Sequence, residues 1–180
     1  MSSTSTTFAA FVSYTENVNP DATLVIVTGP GGKLGAGLGM GLRIRQKKLI
    51  VGVMGDCSSS CALMWIGGET GRKFFYQNRP GVLTRLCFHQ SSDTVRAPLS
   101  GPFAGPGSGQ GNESIGKHLT ALGYKQDMTE WATTADSNHR LCLTPELAKK
   151  FNVDFWYNTE DAQHYTLPGN HGLLPTTSGY

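Results

Sequence analysis

Short apolar runs set off by glycine- or serine-rich turns organise the chain. Leu24-Val25-Ile26-Val27 has the length and continuity of a buried strand. It leads through Gly29-Pro30-Gly31-Gly32 into Leu34, Leu38 and Leu42 at helical spacing. That helix ends in the basic stretch Arg43 to Lys48, the sign of charge that suits a helix C-terminus. A second run, Leu49-Ile50-Val51-Gly52-Val53-Met54, passes through Gly55-Asp56-Cys57-Ser58-Ser59-Ser60-Cys61 into the apolar Ala62 to Ile66. Serines at 58 to 60 suit a helix N-terminus, so the pattern predicts a strand-to-helix turn there. A third strand is predicted over Val82 to His89. Helices are predicted over Asn112 to Leu122, near Phe8 to Tyr14, and over Pro145 to Phe151, where Thr144 supplies a cap and Pro145 the first helical position. Strands alternating with helices predict an α/β domain with a largely parallel sheet.

A length of 180 residues favours one domain at roughly 150 residues each. We expect a single domain over 1–157, with a Gly/Pro-rich loop at 91–111 and an irregular tail at 158–180, where His, Gly, Pro and Thr follow no period. With 38% hydrophobic and 16% charged residues the composition is that of a globular domain. No apolar run approaches the roughly 20 residues that span a bilayer, so no membrane span is expected. Lys+Arg 15 against Asp+Glu 13 gives no basic field, which removes the usual support for a nucleic-acid partner. The Ser/Thr-rich Met1 to Thr7 and the brief apolar Phe8 to Val12 do not form a signal peptide. The expected localisation is therefore soluble, periplasmic if a signal was removed and otherwise cytoplasmic.

Taken singly, the features that could carry chemistry each have a plain structural reading. The glycine turn before a helix can present backbone amides to an anion, or can simply be a tight turn. It is not a Walker loop, because Val27 and Leu34 stand where that loop needs glycine and Ser or Thr. A dinucleotide fingerprint fits poorly too: Gly29, Gly31 and Gly35 are spaced differently, and Asp56 falls too far along. The serine turn can expose a nucleophile or merely cap a helix. His89, at the end of an apolar strand, can be a base or an ordinary hydrogen-bonded histidine. Lys33 could be the base of a Ser-Lys dyad, but a surface lysine is favoured at the start of a helix.

The order of these pieces is more specific than any one of them. Gly29-Pro30-Gly31-Gly32 with Ala36-Gly37, the turn Gly55 to Ala62, Gly67-Gly68 to Gly71-Arg72-Lys73, Phe88-His89-Gln90, and Arg140 to Ala148 with Val153-Asp154 together resemble the ClpP-like serine peptidases of the ClpP/crotonase superfamily. The likeness covers about residues 20 to 155. The Cys-x-Ser-x-Cys form of the turn particularly resembles a bacterial, often exported branch. It implies a spiral of ββα units with a mainly parallel sheet, no cofactor, a peptide or acyl substrate and a homo-oligomer. It also implies Ser59 as nucleophile, His89 as general base, and the amides of Gly32 and Ser60 as oxyanion hole.

Two departures from that pattern stand out. The peptidases carry an Asp just before the arginine of Arg-x-x-x-x-Pro-Glu, where this chain has His139, so the third triad position falls to Asp136, Asn138 or His139. The strand that usually precedes the first helix is also missing, which leaves a sheet edge or subunit surface exposed. That edge, Trp131 and the apolar Ile115, Leu119 and Leu122 motivate the expectation of a homo-oligomer. For Cys57, Cys61, Cys87 and Cys142, small buried thiols are the favoured reading, ahead of a disulfide involving Cys57 or Cys61. A zinc site of Cys57, Cys61, Cys87 and His89 ranks last, so no metal is expected. The leading functional reading is a serine hydrolase, with peptidase the expected activity. Its rivals are a weak or inactive ClpP-like scaffold that binds peptides or assembles, and a crotonase-type acyl-thioester enzyme, for which no CoA-binding motif is evident. The loop 91–111, tethered to His89, is expected to act as a lid or to be a plain insertion.

Overall fold

A nine-residue strand with both edges paired is the axis of the structure. The computed structural model describes residues 5–70, 72–77, 84–91, 109–135, 138–153 and 156–159. Its elements are α1 (Ser5–Ser13), a π-helical turn (Tyr14–Val18), β1 (Leu24–Gly29), α2 (Leu34–Gln46), β2 (Ile50–Ser58), α3 (Ser60–Ile66), β3 (Lys73–Gln77) and β4 (Arg85–Phe88). They continue with α4 (Gly109–Ala121), α5 (Gln126–Ala132), β5 (Leu141–Cys142), α6 (Pro145–Phe151) and β6 (Trp156–Thr159). Among the described residues α1 is the first element.

β1 pairs with β2 in parallel, Leu24 opposite Ile50 and Val27 opposite Val53. The other edge of β2 is shared: β3 pairs with Val51 to Met54 and β4 with Asp56 to Ser58, both in parallel. β6 adds in parallel to β3, and only the two-residue β5 runs antiparallel, against β4. The sheet is thus mixed and mainly parallel, as expected. At the centre of β2 Val51, Gly52 and Val53 are all buried, so this part of the strand shows no polar alternation. Val51 and Val53 are fully buried and pack with Trp65 and Ile66 of α3, Leu86 of β4, Leu119 of α4 and Val153.

The apolar side of α4 is turned inward. Ile115, Leu119 and Leu122 are buried in this chain's own core, so they are not the contact surface for another copy that the sequence suggested. Of the exposed large apolar side chains, Leu24 and Ile26 lie on β1 and Ile50 on β2, while Tyr14, Val18 and Leu42 lie on the π-helical turn and α2. Leu24 faces Ile50 across the ladder, and Ile26 is two residues on, so the three share one face.

The favoured reading of the cysteines is overturned. Cys57 is bonded to Cys61 and Cys87 to Cys142, and no cysteine is free. Cys57 is the penultimate residue of β2 and Cys61 stands in the first turn of α3, so the tight turn between them brings their Cα atoms to 5.3 Å, within disulfide range. The second bridge follows from register: the antiparallel pairing of β4 with β5 sets Cys87 opposite Cys142.

Candidate active site

Ser59 is the hinge between β2 and α3. Its backbone lies at φ 59° and ψ −128°, a left-handed conformation that a residue with a Cβ avoids. The turn is held from several sides. The Ser59 N–H donates to the Cys87 carbonyl at 2.9 Å, its own carbonyl accepts from Leu63 N–H at 3.2 Å, and the Cys57–Cys61 bridge spans it. Although Ser59 occupies the N-cap position of α3, its hydroxyl makes no cap hydrogen bond. The ordinary capping role weighed for this serine is therefore not the one it plays.

The glycine turn after β1 lies directly against Ser59. A Cβ on Gly31 would come within 2.6 Å of the Ser58 carbonyl and of Ser59 Cβ, and 3.0 Å of Ser60 N; its φ of +99° also excludes other residues. Gly37, one helical turn into α2, plays the same part for Ser60, whose carbonyl lies 2.5 Å from where a Cβ would sit. Glycine at these two positions lets the 29–32 turn and α2 close over the serine turn, which brings Gly32 to the site.

Gly32, Lys33, Leu34, Ser59, Leu63, Phe88, His89, Gln90, Ser91, Ile115 and Ala132 line a single open cavity of about 390 Å³. Two sequence-predicted residues, Ser59 and His89, therefore face one space, each half-buried, with Gly32 at its exposed rim. No hydrogen bond joins Ser59 to His89. The walls are about equally polar and apolar: Leu34, Leu63, Phe88, Ile115 and Ala132 supply the apolar part, and among the lining residues Lys33, at the exposed start of α2, is the lysine. Ser60 is buried behind Ser59, and its Oγ has no hydrogen-bond partner among the described residues.

The His89 ring is oriented by the main chain. Its Nδ1 lies 2.6 Å from the carbonyl oxygen of Gln90. A carbonyl oxygen only accepts, so in this contact Nδ1 carries the proton, which in the neutral ring leaves the lone pair on Nε2. Of the residues considered for the third triad position, Asn138 and His139 are exposed and neither is hydrogen-bonded to His89, while Asp136 lies outside the described residues. Asp56, the acid nearest to Ser59 in sequence, is engaged elsewhere. It pairs with Arg140 at 3.4 Å and Arg85 at 3.7 Å and accepts from Ser58 Oγ at 3.2 Å. Arg140 also donates to Ser58 Oγ at 3.1 Å, which ties the segment before β5 to the serine turn. With their sulfurs paired, Cys57, Cys61 and Cys87 carry no thiolate that could hold a metal.

Sequence reasoning did not find the apolar walls or the role of the Gln90 carbonyl. Leu63, Phe88 and Ile115 were legible as apolar periodic positions, but only the fold shows which end of each element opens to the cavity. A main-chain acceptor has no side-chain signature. The 92–108 part of the expected lid lies outside the described residues.

No protein-family model and no curated protein matches the sequence. Solved structures do. A ClpP1 mutant from Listeria monocytogenes superposes with a TM-score of 0.56 at 17% identity, covering 81% of this chain and 78% of that one. A mutant of the membrane-bound stomatin-specific protease 1510-N superposes with a TM-score of 0.53 at 22% identity, covering 83% and 72%. The fold is that of ClpP-like proteases. Among the described residues no helix is long and apolar enough to cross a membrane.

Proposed function

We propose that the chain is a serine hydrolase, acting as a peptidase, with Ser59 as nucleophile and His89 as general base. The observation that carries this reading is the strained Ser59 turn facing His89 across one cavity, since backbone strain of this kind persists only where surrounding structure over-determines it and clusters at working sites. In the proposed reaction His89 Nε2 takes the Ser59 hydroxyl proton as Oγ attacks the acyl carbon. The same nitrogen then returns the proton to the leaving amine or alcohol, and water repeats the sequence to release the acid. The amides of Gly32 and Ser60 are the proposed oxyanion donors. Ser59's own amide is unsuited, being bonded to Cys87. The apolar part of the wall, from Leu34, Leu63, Phe88 and Ile115, would take a hydrophobic side chain beside the scissile bond. No cofactor enters this scheme.

The exposed Leu24 and Ile26 on β1, whose second edge is unpaired among the described residues, with Ile50 of β2 beside them, support a homo-oligomer. Two disulfides support an oxidising compartment. The test is turnover of activated esters and of a mixed peptide library. Wild type is expected to cleave both, with Ser59→Ala and His89→Ala lowering the rate at least a hundredfold, in keeping with loss of a nucleophile or base. A wild-type rate equal to that of both variants would favour the alternative, a ClpP-like scaffold that binds peptides or assembles without cleaving.

A further inference from the structure

One peptide plane connects the candidate base to a buried amide on another helix. The Gln90–Ser91 peptide accepts at its carbonyl end from His89 Nδ1, at 2.6 Å, and donates at its N–H end to Asn112 Oδ1, at 2.9 Å. Among the described residues no peptide is cis, so carbonyl and N–H point in opposite directions along one rigid plane. The preceding amide is pinned as well, Gln90 N–H donating to the Ala135 carbonyl at 2.8 Å. Asn112 is fully buried in the first turn of α4. Its neighbour Gly111 packs so closely on Ser91 that a Cβ there would overlap the serine side chain, which is how α4 reaches the plane. Asn112 Nδ2 has no hydrogen-bond partner among the described residues, so the Oδ1 contact to Ser91 is the bond that accounts for an amide at this buried position.

We propose that Asn112 is a positioning residue for His89. Through the 90–91 peptide it fixes the ring's orientation and its Nδ1–H tautomer, the task that a carboxylate performs in a full triad. Bonds in such a chain polarise one another, so acceptance by Asn112 Oδ1 at the N–H end strengthens the carbonyl as an acceptor at the other. The catalytic consequence rests on the serine-hydrolase reading above, but the geometry does not, and the test separates the two.

The ring nitrogens of His89 are read by ¹⁵N NMR on the full-length oxidised protein at a pH where the ring is neutral, with Ser91 amide exchange followed in parallel. Wild type is expected to hold His89 as the Nδ1–H tautomer, with the Ser91 amide protected. Asn112→Ala is expected to mix the tautomers and speed Ser91 exchange at least tenfold. Asn112→Asp keeps an acceptor oxygen for the Ser91 N–H and exchanges the unpartnered nitrogen for a carboxyl oxygen, so the folded variant is expected to restore both signals. If the hydrolase reading holds, Asn112→Ala also lowers kcat about tenfold to a hundredfold, the range typical when a histidine's outer partner is lost, with KM little changed. An Nε2–H tautomer in wild type would overturn the proposal with no variant needed, even if Asn112→Ala does not fold. So would wild-type tautomer populations in a folded Asn112→Ala, or failure of Asn112→Asp to restore them. A wild type with the expected tautomer but no turnover would sink the hydrolase reading and leave the positioning role standing.

Discussion

Replacing Ser59 by glycine should stabilise the protein more than replacing it by alanine, the reverse of the usual order. At φ 59° and ψ −128° Ser59 sits where a Cβ is disfavoured, and such positions cost about 1–3 kcal/mol. Alanine keeps the Cβ and therefore the strain; glycine removes it. Against this, glycine's extra freedom in the unfolded chain costs about 0.5–1 kcal/mol relative to alanine. The net preference for Ser59→Gly reaches up to about 2.5 kcal/mol, with about 1 kcal/mol as the central expectation. For a chain of this size that corresponds to about 2–4 °C in Tm. Both variants lack the hydroxyl, so neither tests chemistry, and the comparison isolates the backbone. Thermal and urea melts of the two variants, oxidised and at equal concentration, give the answer. Alanine more stable than glycine by the ordinary 0.5–1 kcal/mol would mean that residue 59 is not held in a left-handed turn, and the argument from strain to function would fall.

The two disulfides should differ in worth. On the loop-entropy account the bridge spanning 55 residues stabilises by about 4 kcal/mol and the one spanning 4 residues by about 2 kcal/mol. Cys87→Ala/Cys142→Ala should therefore lose roughly twice the stability of Cys57→Ala/Cys61→Ala in urea melts, and equal losses would count against that account. His118 is buried against α2 and α3, and desolvation holds its imidazole below the ordinary histidine value; a hydrogen bond with the Leu63 backbone opposes this and the Arg45 charge adds to it. The unfolded chain thus binds the proton more readily, so this contribution is complete above about pH 6.5 and is lost as pH falls through that value. Urea midpoints for wild type and His118→Gln should converge on acidification below pH 6.5, and parallel pH profiles would refute the assignment.

The parts of the fold written in local chemistry were legible. Thr144-Pro145-Glu146 opens α6, with Thr144 Oγ1 accepting from Leu147 N–H at 3.3 Å, and the apolar run at 49–54 is the central strand β2. Strand β3 was missed because it begins with a lysine. Lys73 is 2% exposed, its Nζ donating to the Gly68 carbonyl at 3.0 Å and the Tyr124 hydroxyl at 2.9 Å, and no local pattern announces a buried charge that depends on a hydroxyl 51 residues away. The seven-residue α5 was too short for its apolar Met128 and Ala132 to establish a period. Cysteine pairing depended on the register of β4 against β5, which is a tertiary property. At the candidate site Ser59, His89 and Gly32 could be named from their order along the chain. Three signals were out of reach: the orientation of His89 by a main-chain carbonyl, the link to Asn112, and the inward face of α4.

The central claim, that Ser59 is a nucleophile activated in this cavity, is tested most directly by a fluorophosphonate probe with the adduct mapped by peptide mass spectrometry. The account predicts one covalent adduct, on Ser59 and not on Ser58 or Ser60, formed by the oxidised wild type and reduced at least a hundredfold in His89→Ala. Absence of an adduct on folded, oxidised protein, or an adduct on Ser59 that forms equally fast without His89, would contradict it.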